Sequence, residues 1–168
     1  MNTIWTPEMV NIYNNNIEQY VTNLSSNHTV AFTDGSYDKK LNASAYGIVM
    51  FMPEPVYYSK RFYKTRHSHK LIIKSGNVGA ECEAVIFAVK QAIEHGFKKI
   101  TIFYDFEGIY KWLSYDWVAN KSYTENYVDT MTQYSKLIEI AFIKVKSHVG
   151  IYYNDLADKL ANDLLKRK

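Results

Sequence analysis

Two aspartates directly follow short apolar runs that are typical of buried strands. Asp34 comes after residues 29–33, and Asp105 comes after residues 99–104. Ligand sites in α/β sheets form outside the ends of strands, so both carboxylates are well placed for one. Each also has an ordinary explanation, because Asp34-Gly35 is a turn sequence and Asp105 could cap a helix. The sequence around these two residues leaves both explanations open.

Two further acids lie on predicted helices. Glu81 begins a predicted helix over residues 80–94 and lies on its apolar stripe, so it can face a sheet. Its ordinary role would be that of a first-turn acid favoured by the helix dipole. Glu83 lies on the flank of this helix and is predicted to face solvent. Asp158 adjoins the apolar face of a last predicted helix over residues 153–165.

Carboxylates that gather at one sheet edge repel one another, and hard cations with oxygen ligands remove that penalty. Mg²⁺ prefers one or two carboxylates together with waters and substrate phosphates. Two such ions ~3.5–4 Å apart can stabilise both the attacking and the leaving oxygen of phosphodiester hydrolysis. Zinc is disfavoured, because no cluster of His and Cys has ligand spacing. His148, in a polar loop after a predicted strand, is either a solvated histidine or a proton-transfer group.

The predicted elements supply a sheet on which these residues can meet. Strands are predicted over 29–33, 46–51, 56–63, 99–104 and 141–145, and helices over 80–94, 107–113, 124–138 and 153–165. Three sequential strands joined by short turns indicate an antiparallel meander, whereas each later strand is reached through a helix and indicates a parallel addition. The expected fold class is α/β, a mixed five-stranded sheet flanked by helices.

Four pieces of this sequence resemble ribonuclease H of type 1. They are Thr33-Asp34-Gly35-Ser36, Ala80-Glu81-Cys82-Glu83-Ala84, Tyr104-Asp105, and His148 with Asn154-Asp155-Leu156-Ala157-Asp158-Lys159-Leu160-Ala161. The resemblance covers about residues 29–166, and residues 77–81 and 104–112 resemble a bacterial and viroplasmin-related subgroup. It implies an RNase H-like fold with three antiparallel and two parallel strands. It also implies an endonuclease that hydrolyses the RNA strand of RNA/DNA hybrids and leaves 5′-phosphate and 3′-hydroxyl ends.

The resemblance gives each candidate residue a role. The four acids Asp34, Glu81, Asp105 and Asp158 match the catalytic set that holds two Mg²⁺ ions, with Mn²⁺ as an alternative. His148 matches the mobile histidine of the family. Asn77 matches a position that contacts the 2′-hydroxyls of the RNA strand.

Other substrate contacts are predicted from residue types. Backbone groups at Gly35 and Ser36 are candidates for the RNA side, because glycine has no side chain to block a close approach to a sugar. Residues 55–80 contain no acid and carry the basic residues Lys60, Arg61, Lys64, Arg66, Lys70 and Lys74. This span is either a solvated hairpin or a phosphate-contacting surface, with Lys70 and Lys74 as the candidate contacts.

Composition and length set the outer bounds of the interpretation. With 168 residues, 47% hydrophobic and 22% charged, the chain is typical of one globular domain with a short appendage. The single cysteine, Cys82, excludes an internal disulfide and a cysteine-only zinc site. No apolar run approaches the ~18–20 residues that span a bilayer, and the N-terminus does not resemble a secretory signal. We therefore expect a cytoplasmic monomer with no membrane partner.

Residues 1–28 are predicted to form a helical appendage of unknown role, with Thr6 as N-cap and Pro7 as the first helical residue. Residues 29–168 are predicted to form the catalytic domain. Two alternatives share the general fold: an integrase- or exonuclease-like nuclease, and a nucleic-acid binding module that has lost activity. The His148 loop with Asp158 argues against the first alternative, and the complete set of four acids argues against the second.

Overall fold

A mixed sheet of five strands organises residues 5–166, which are the residues that the computed structural model describes. The strands are β1 (His28–Asp38), β2 (Ala43–Phe51), β3 (Pro55–Phe62), β4 (Lys99–Tyr104) and β5 (Glu139–Lys144). Their order across the sheet is β3-β2-β1-β4-β5. The β1–β2 and β2–β3 pairs are antiparallel, and the β1–β4 and β4–β5 pairs are parallel. The expected fold class is confirmed, and β1 lies in the centre of the sheet.

Six α-helices flank this sheet within the described residues. They are α1 (Pro7–Thr22), α2 (Lys70–Lys74), α3 (Gly76–Glu94), α4 (Gly108–Lys111), α5 (Ser122–Ser135) and α6 (Tyr152–Lys166). A single 3₁₀ turn over His67–His69 precedes α2. No helix among residues 5–166 has both the length and the apolar character needed to cross a membrane.

The central strand differs from its prediction in one way that matters for the site. Asp34-Gly35 was expected to be a turn that ends the first strand, but β1 continues to Asp38. The ladder with β2 overrides the turn signal, since Asp34 is paired with Gly47. The parallel pairing with β4, by contrast, stops at Phe32. Asp34 therefore lies in mid-strand, just beyond the point where β1 and β4 separate.

Alternation along the strands divides the core between the two faces of the sheet. Odd-numbered Ala31 belongs to the core that α3 covers, with Val85 and Ala88 of that helix. Even-numbered Phe32 belongs to the opposite core, with Ala157 of α6. The same alternation sends Gly35 towards α3 and Asp34 towards α6. Each side of β1 can therefore contribute to a site at its end.

The helix boundaries depart from the predictions mainly around residues 55–80, the acid-free basic span. The helix predicted to begin at residue 80 begins at Gly76, and neither α2 nor the 3₁₀ turn before it was predicted. The helix predicted over 107–113 is limited to Gly108–Lys111, and the one predicted over 124–138 is Ser122–Ser135. The last strand begins at Glu139, two residues earlier than predicted. The basic span is thus a strand end and a short helix rather than a simple hairpin.

The N-terminal helix packs on the same face of the sheet as α6. Its start matches the prediction, because the Thr6 side chain accepts a hydrogen bond from the Met9 N–H at 3.3 Å. Ile17 is buried in a core with Val30 and Phe32. Residues 1–4 of the predicted appendage (1–28) and residues 167–168 of the predicted catalytic domain (29–168) lie outside the described residues.

Candidate active site

Three carboxylates from separate elements meet at one end of the sheet. Asp34 projects from mid-β1, Glu81 from the second turn of α3, and Asp105 from the residue directly after β4. One carboxylate oxygen of each lies within 4.8 Å of the others. The structure therefore brings together three of the four acids that the sequence singled out.

The approach of α3 to the central strand depends on Gly35. A Cβ atom at this position would lie only 2.5 Å from the backbone nitrogen of Glu81. Such a distance is far below van der Waals contact, so any side chain here would displace the helix or the strand. The absence of a side chain lets Glu81 reach the carboxylate cluster.

Burial dominates the electrostatics of this cluster. Asp34 is 4% exposed and Glu81 is 3% exposed. Burial, with the charge of Glu81 adding to it, raises the pKa of Asp34 to about 12, and burial raises the pKa of Glu81 to about 8. Burial also raises the pKa of Asp105. In the absence of a compensating cation, the cluster retains protons at a pH where isolated carboxylates have lost them.

An unpartnered oxygen makes this cluster a candidate cation site. Within residues 5–166, Glu81 Oε2 is buried and has no hydrogen-bond partner. Leaving a buried polar atom unpaired costs about 1–3 kcal/mol, and more for a charged group. A set of carboxylate oxygens with an open acceptor fits a hard divalent cation such as Mg²⁺.

Asp158 and His148 border the same cavity, which has a volume of about 550 Å³. Asp158 is half-buried on α6, and its charge helps to raise the pKa of Asp105. His148 is exposed in the loop between β5 and α6, and its charge acts on Asp105 in the opposite direction. Asp158 and His148 therefore complete the rim around the three clustered acids.

The substrate residues proposed from the sequence divide into two groups. Gly35, Ser36 and the exposed Asn77 line the cavity that holds the acids. Lys70 and Lys74 are exposed on α2 and do not line that cavity. Lys74 instead borders a neighbouring cavity, which also has a volume of about 550 Å³.

Two asparagines of α6 support the site and were missed as functional residues. Asn154, which is 2% exposed, donates from Nδ2 to Asp105 Oδ2 at 3.4 Å. Asn162 accepts a hydrogen bond from Ser36 Oγ at 2.7 Å. Both lie four residues from Asp158, so helical spacing places all three on one face and could have indicated them.

Glu83 does not face solvent as predicted. It is half-buried, and its Oε1 accepts a hydrogen bond from the Tyr123 hydroxyl at 2.7 Å. The cause is the packing of α5 against α3, which covers the flank of α3 that carries Glu83. This acid therefore belongs to a contact between helices and not to the carboxylate cluster.

A family model described as RNase H matches residues 8–166. This chain belongs to the RNase H family. No curated protein matches its sequence. The RNase H fold is also found in solved structures at low sequence identity.

One such structure is RNase H1 from the halophilic archaeon Halobacterium salinarum NRC-1. It has a TM-score of 0.63 and 21% identity, covering 82% of this chain and 97% of that one. The N-terminal RNase H domain of Rv2228c from Mycobacterium tuberculosis, solved as a fusion with maltose binding protein, has a TM-score of 0.61 and 18% identity, covering 82% and 93%. LC11-RNase H1, solved in complex with an RNA/DNA hybrid, has a TM-score of 0.63 and 16% identity, covering 80% and 94%. At these identities the three structures show a shared fold.

Proposed function

We propose that this protein is a divalent-metal-dependent endonuclease that hydrolyses the RNA strand of RNA/DNA hybrids and leaves 5′-phosphate and 3′-hydroxyl ends. The observation that carries the proposal is the buried cluster of Asp34, Glu81 and Asp105, whose oxygens lie within 4.8 Å of one another. A protein that only bound nucleic acid through its phosphates would have no use for buried acids at the binding surface, since they repel the substrate.

Asp34, Glu81, Asp105 and Asp158 would hold two Mg²⁺ ions, with Mn²⁺ as an alternative. When bound, the ions supply charge stabilisation to the attacking and leaving oxygens of the phosphodiester. The donors on offer are all oxygen atoms, which suits these hard cations. Asp34 is the candidate for a shared ligand, because it lies on the central strand between Glu81 on one side and Asp158 on the other.

The remaining residues around the cavity orient groups and move protons. Asn154 holds one oxygen of Asp105 and so fixes how that carboxylate faces the cavity. His148 stands on the exposed rim, where its imidazole can carry a proton between the site and water. These roles require a histidine that faces the cavity without being a permanent ligand.

Substrate choice follows from the residues that border the acids. The LC11-RNase H1 structure contains an RNA/DNA hybrid, which supports a hybrid as the substrate here. The Asn77 side chain and the backbone at Gly35-Ser36 are proposed to recognise the RNA strand. The exposed ammonium groups of Lys70 and Lys74 are proposed to contact phosphates without reading sequence.

Two finer assignments complete the proposal. Within the RNase H family we place the chain in the bacterial and viroplasmin-related subgroup, on the resemblance of residues 77–81 and 104–112. We also propose that it acts as a monomer, because all the acids and the histidine come from one chain.

A comparison of substrates tests the proposed activity. The protein is incubated in Mg²⁺ with an end-labelled RNA/DNA hybrid, duplex DNA and duplex RNA of the same sequence. We expect cleavage of the hybrid alone, and loss of that cleavage in Asp34→Asn and Asp105→Asn, which keep the side-chain shape and remove the charge. Cleavage of duplex DNA, or near-wild-type activity in either variant, would contradict the proposal.

A further inference from the structure

The side chain of Asn14, on the N-terminal helix, holds the loop that carries His148. Its Nδ2 donates a hydrogen bond to the Gly150 carbonyl at 2.9 Å. Its Oδ1 accepts one from the Tyr152 N–H, also at 2.9 Å. A carboxylate could only accept and an ammonium could only donate, so a primary amide is suited to both contacts. Asn14 thus ties together two backbone groups at the end of the loop.

Neighbouring residues of α1 extend this contact along one helix face. A Cβ atom on Gly150 would lie 3.2 Å from Cγ1 of Val10, one turn before Asn14. One turn after Asn14, the Glu18 carboxylate accepts a hydrogen bond from the hydroxyl of Tyr153. The spacing of four residues places these three side chains on the same face of α1. This face contacts the end of the loop and the start of α6, and none of its three residues lines the cavity that holds the acids.

The loop needs such support because its backbone is unusual. His148 has φ +59° and Gly150 has φ +103°. A non-glycine residue in the left-handed region persists where the surrounding structure holds it there. The start of the loop is fixed by the buried Val145, whose N–H donates to the Tyr104 carbonyl at 2.8 Å. At the other end of the loop, the Asn14 side chain makes both of these hydrogen bonds, one to the Gly150 carbonyl and one with the Tyr152 N–H.

We propose that Asn14 is a positioning residue for His148, and that α1 serves to hold the histidine loop against the site. This inference rests on the proposed function, in which His148 takes part in turnover. It gives residues 1–28 a role in the reaction although Asn14 lies outside the cavity. A helix at the beginning of the chain thereby acts through a loop near its end.

The first arm of the test measures the loop without reference to activity. Amide hydrogen exchange is followed in residues 146–153 of the full-length protein and of Asn14→Ala, Asn14→Asp and Asn15→Ala. Asn15 is the matched control, because it is the adjacent asparagine of α1 and is exposed. We expect faster exchange in Asn14→Ala, a smaller increase in Asn14→Asp, which keeps the acceptor for Tyr152, and no change in Asn15→Ala. Unchanged exchange in Asn14→Ala would overturn the inference.

The second arm measures turnover of an RNA/DNA hybrid. Asn14→Ala should lower kcat by about tenfold with little change in KM, less than the roughly 10²–10⁴-fold effect of deleting an acid–base group. In a His148→Ala background the same substitution should have no further effect, because Asn14 acts through that residue. A merely structural role would lower activity equally in both backgrounds, and this result would overturn the inference.

The two arms separate the inference from the proposed function. If the wild-type protein cleaves hybrids but Asn14→Ala alters exchange without lowering kcat, the positioning role fails and the nuclease activity stands. If the wild-type protein does not cleave hybrids at all, the proposed function fails, and the positioning role fails with it whatever the exchange shows.

Discussion

The metal-free protein should become less stable as the pH rises, because the carboxylate cluster is buried without a counter-charge. The folded-state pKa of Asp34, about 12, lies far above the value of an unfolded aspartate. Between those two values the folded protein holds a proton that the unfolded chain has released. The contribution of Asp34 to the free energy of unfolding is therefore greatest below the pKa of an unfolded aspartate, and it falls as the pH rises above that value. One retained proton lowers the free energy of unfolding by about 1.4 kcal/mol for each pH unit, which amounts to up to about 4 kcal/mol between pH 5 and pH 8.

Asp34→Asn should remove the part of this pH dependence that Asp34 contributes, whereas Glu81, whose pKa burial raises to about 8, keeps its own contribution. The Asn side chain keeps an oxygen that can accept the hydrogen bond now made from the Gly35 N–H to Asp34 Oδ1 at 3.0 Å. Its amide can also donate to Glu81, as a protonated Asp34 carboxyl can. We therefore expect the variant to be more stable than the wild type at pH 8 by about 2–4 kcal/mol in EDTA, and to differ little from it at pH 5.

Equilibrium urea unfolding is followed by tryptophan fluorescence in EDTA at several pH values. It measures the pH dependence of the free energy of unfolding and the difference in that free energy between the variant and the wild type. Asp129→Asn is the control, since Asp129 is exposed on α5 and away from the cluster. Adding Mg²⁺ at about 100 times its dissociation constant should restore about 2.7 kcal/mol to the wild type at pH 8 and much less to Asp34→Asn. If wild type and Asp34→Asn show the same pH slope, or if both are equally stabilised by Mg²⁺, the electrostatic reasoning is wrong.

Four further predictions concern the rim of the cavity, the substrate surface and the packing of the sheet. His148→Ala should slow hybrid cleavage by roughly 10²–10⁴ without changing Mg²⁺ affinity measured by calorimetry; unchanged turnover would leave it a solvated histidine. In competition binding of hybrids in Ca²⁺, replacing Lys70 and Lys74 with Ala should make the binding constant less dependent on salt. The slope of its logarithm against the logarithm of the salt concentration should flatten by about one unit per lost phosphate contact. Asn77→Ala should instead reduce the preference for hybrid over duplex DNA with little change in slope, and the reverse pattern would contradict both assignments. Gly47→Ala should lower the free energy of unfolding by about 1–3 kcal/mol, because the new Cβ would meet the Ala157 carbonyl oxygen; a urea midpoint equal to the wild type would refute this.

Local patterns were sufficient to predict the architecture and to single out the acids. The strand Lys99–Tyr104 has the predicted bounds, and the Thr6 side chain caps the start of α1 as predicted. Both features depend on residues that are close in sequence, namely an apolar run and a helix end. The relative directions of the strands, antiparallel for the first three and parallel for the last two, follow equally from the connections between them.

Features that depend on contacts between distant segments could not be predicted in the same way. The strand β1 runs through Asp34-Gly35 because β2 pairs with it, which a local turn signal cannot show. The hydrogen bonds from Asn14 join residues that are more than 130 positions apart in the chain. The partner of Asp105, Asn154, is likewise set by where α6 crosses the sheet. Such polar contacts carry no periodic signal, so only the folded chain reveals them.

The most direct test of the central claim is the chemistry of the cleaved ends. A hybrid labelled on both strands is incubated with the protein and Mg²⁺ for a single turnover, and the products are resolved and their termini determined. Hydrolysis by water at the carboxylate site predicts RNA fragments with 5′-phosphate and 3′-hydroxyl ends, an intact DNA strand, and no products from Asp105→Asn. Fragments with 2′,3′-cyclic phosphates, which arise from attack by the RNA's own 2′-hydroxyl, or cleavage of the DNA strand, would contradict it.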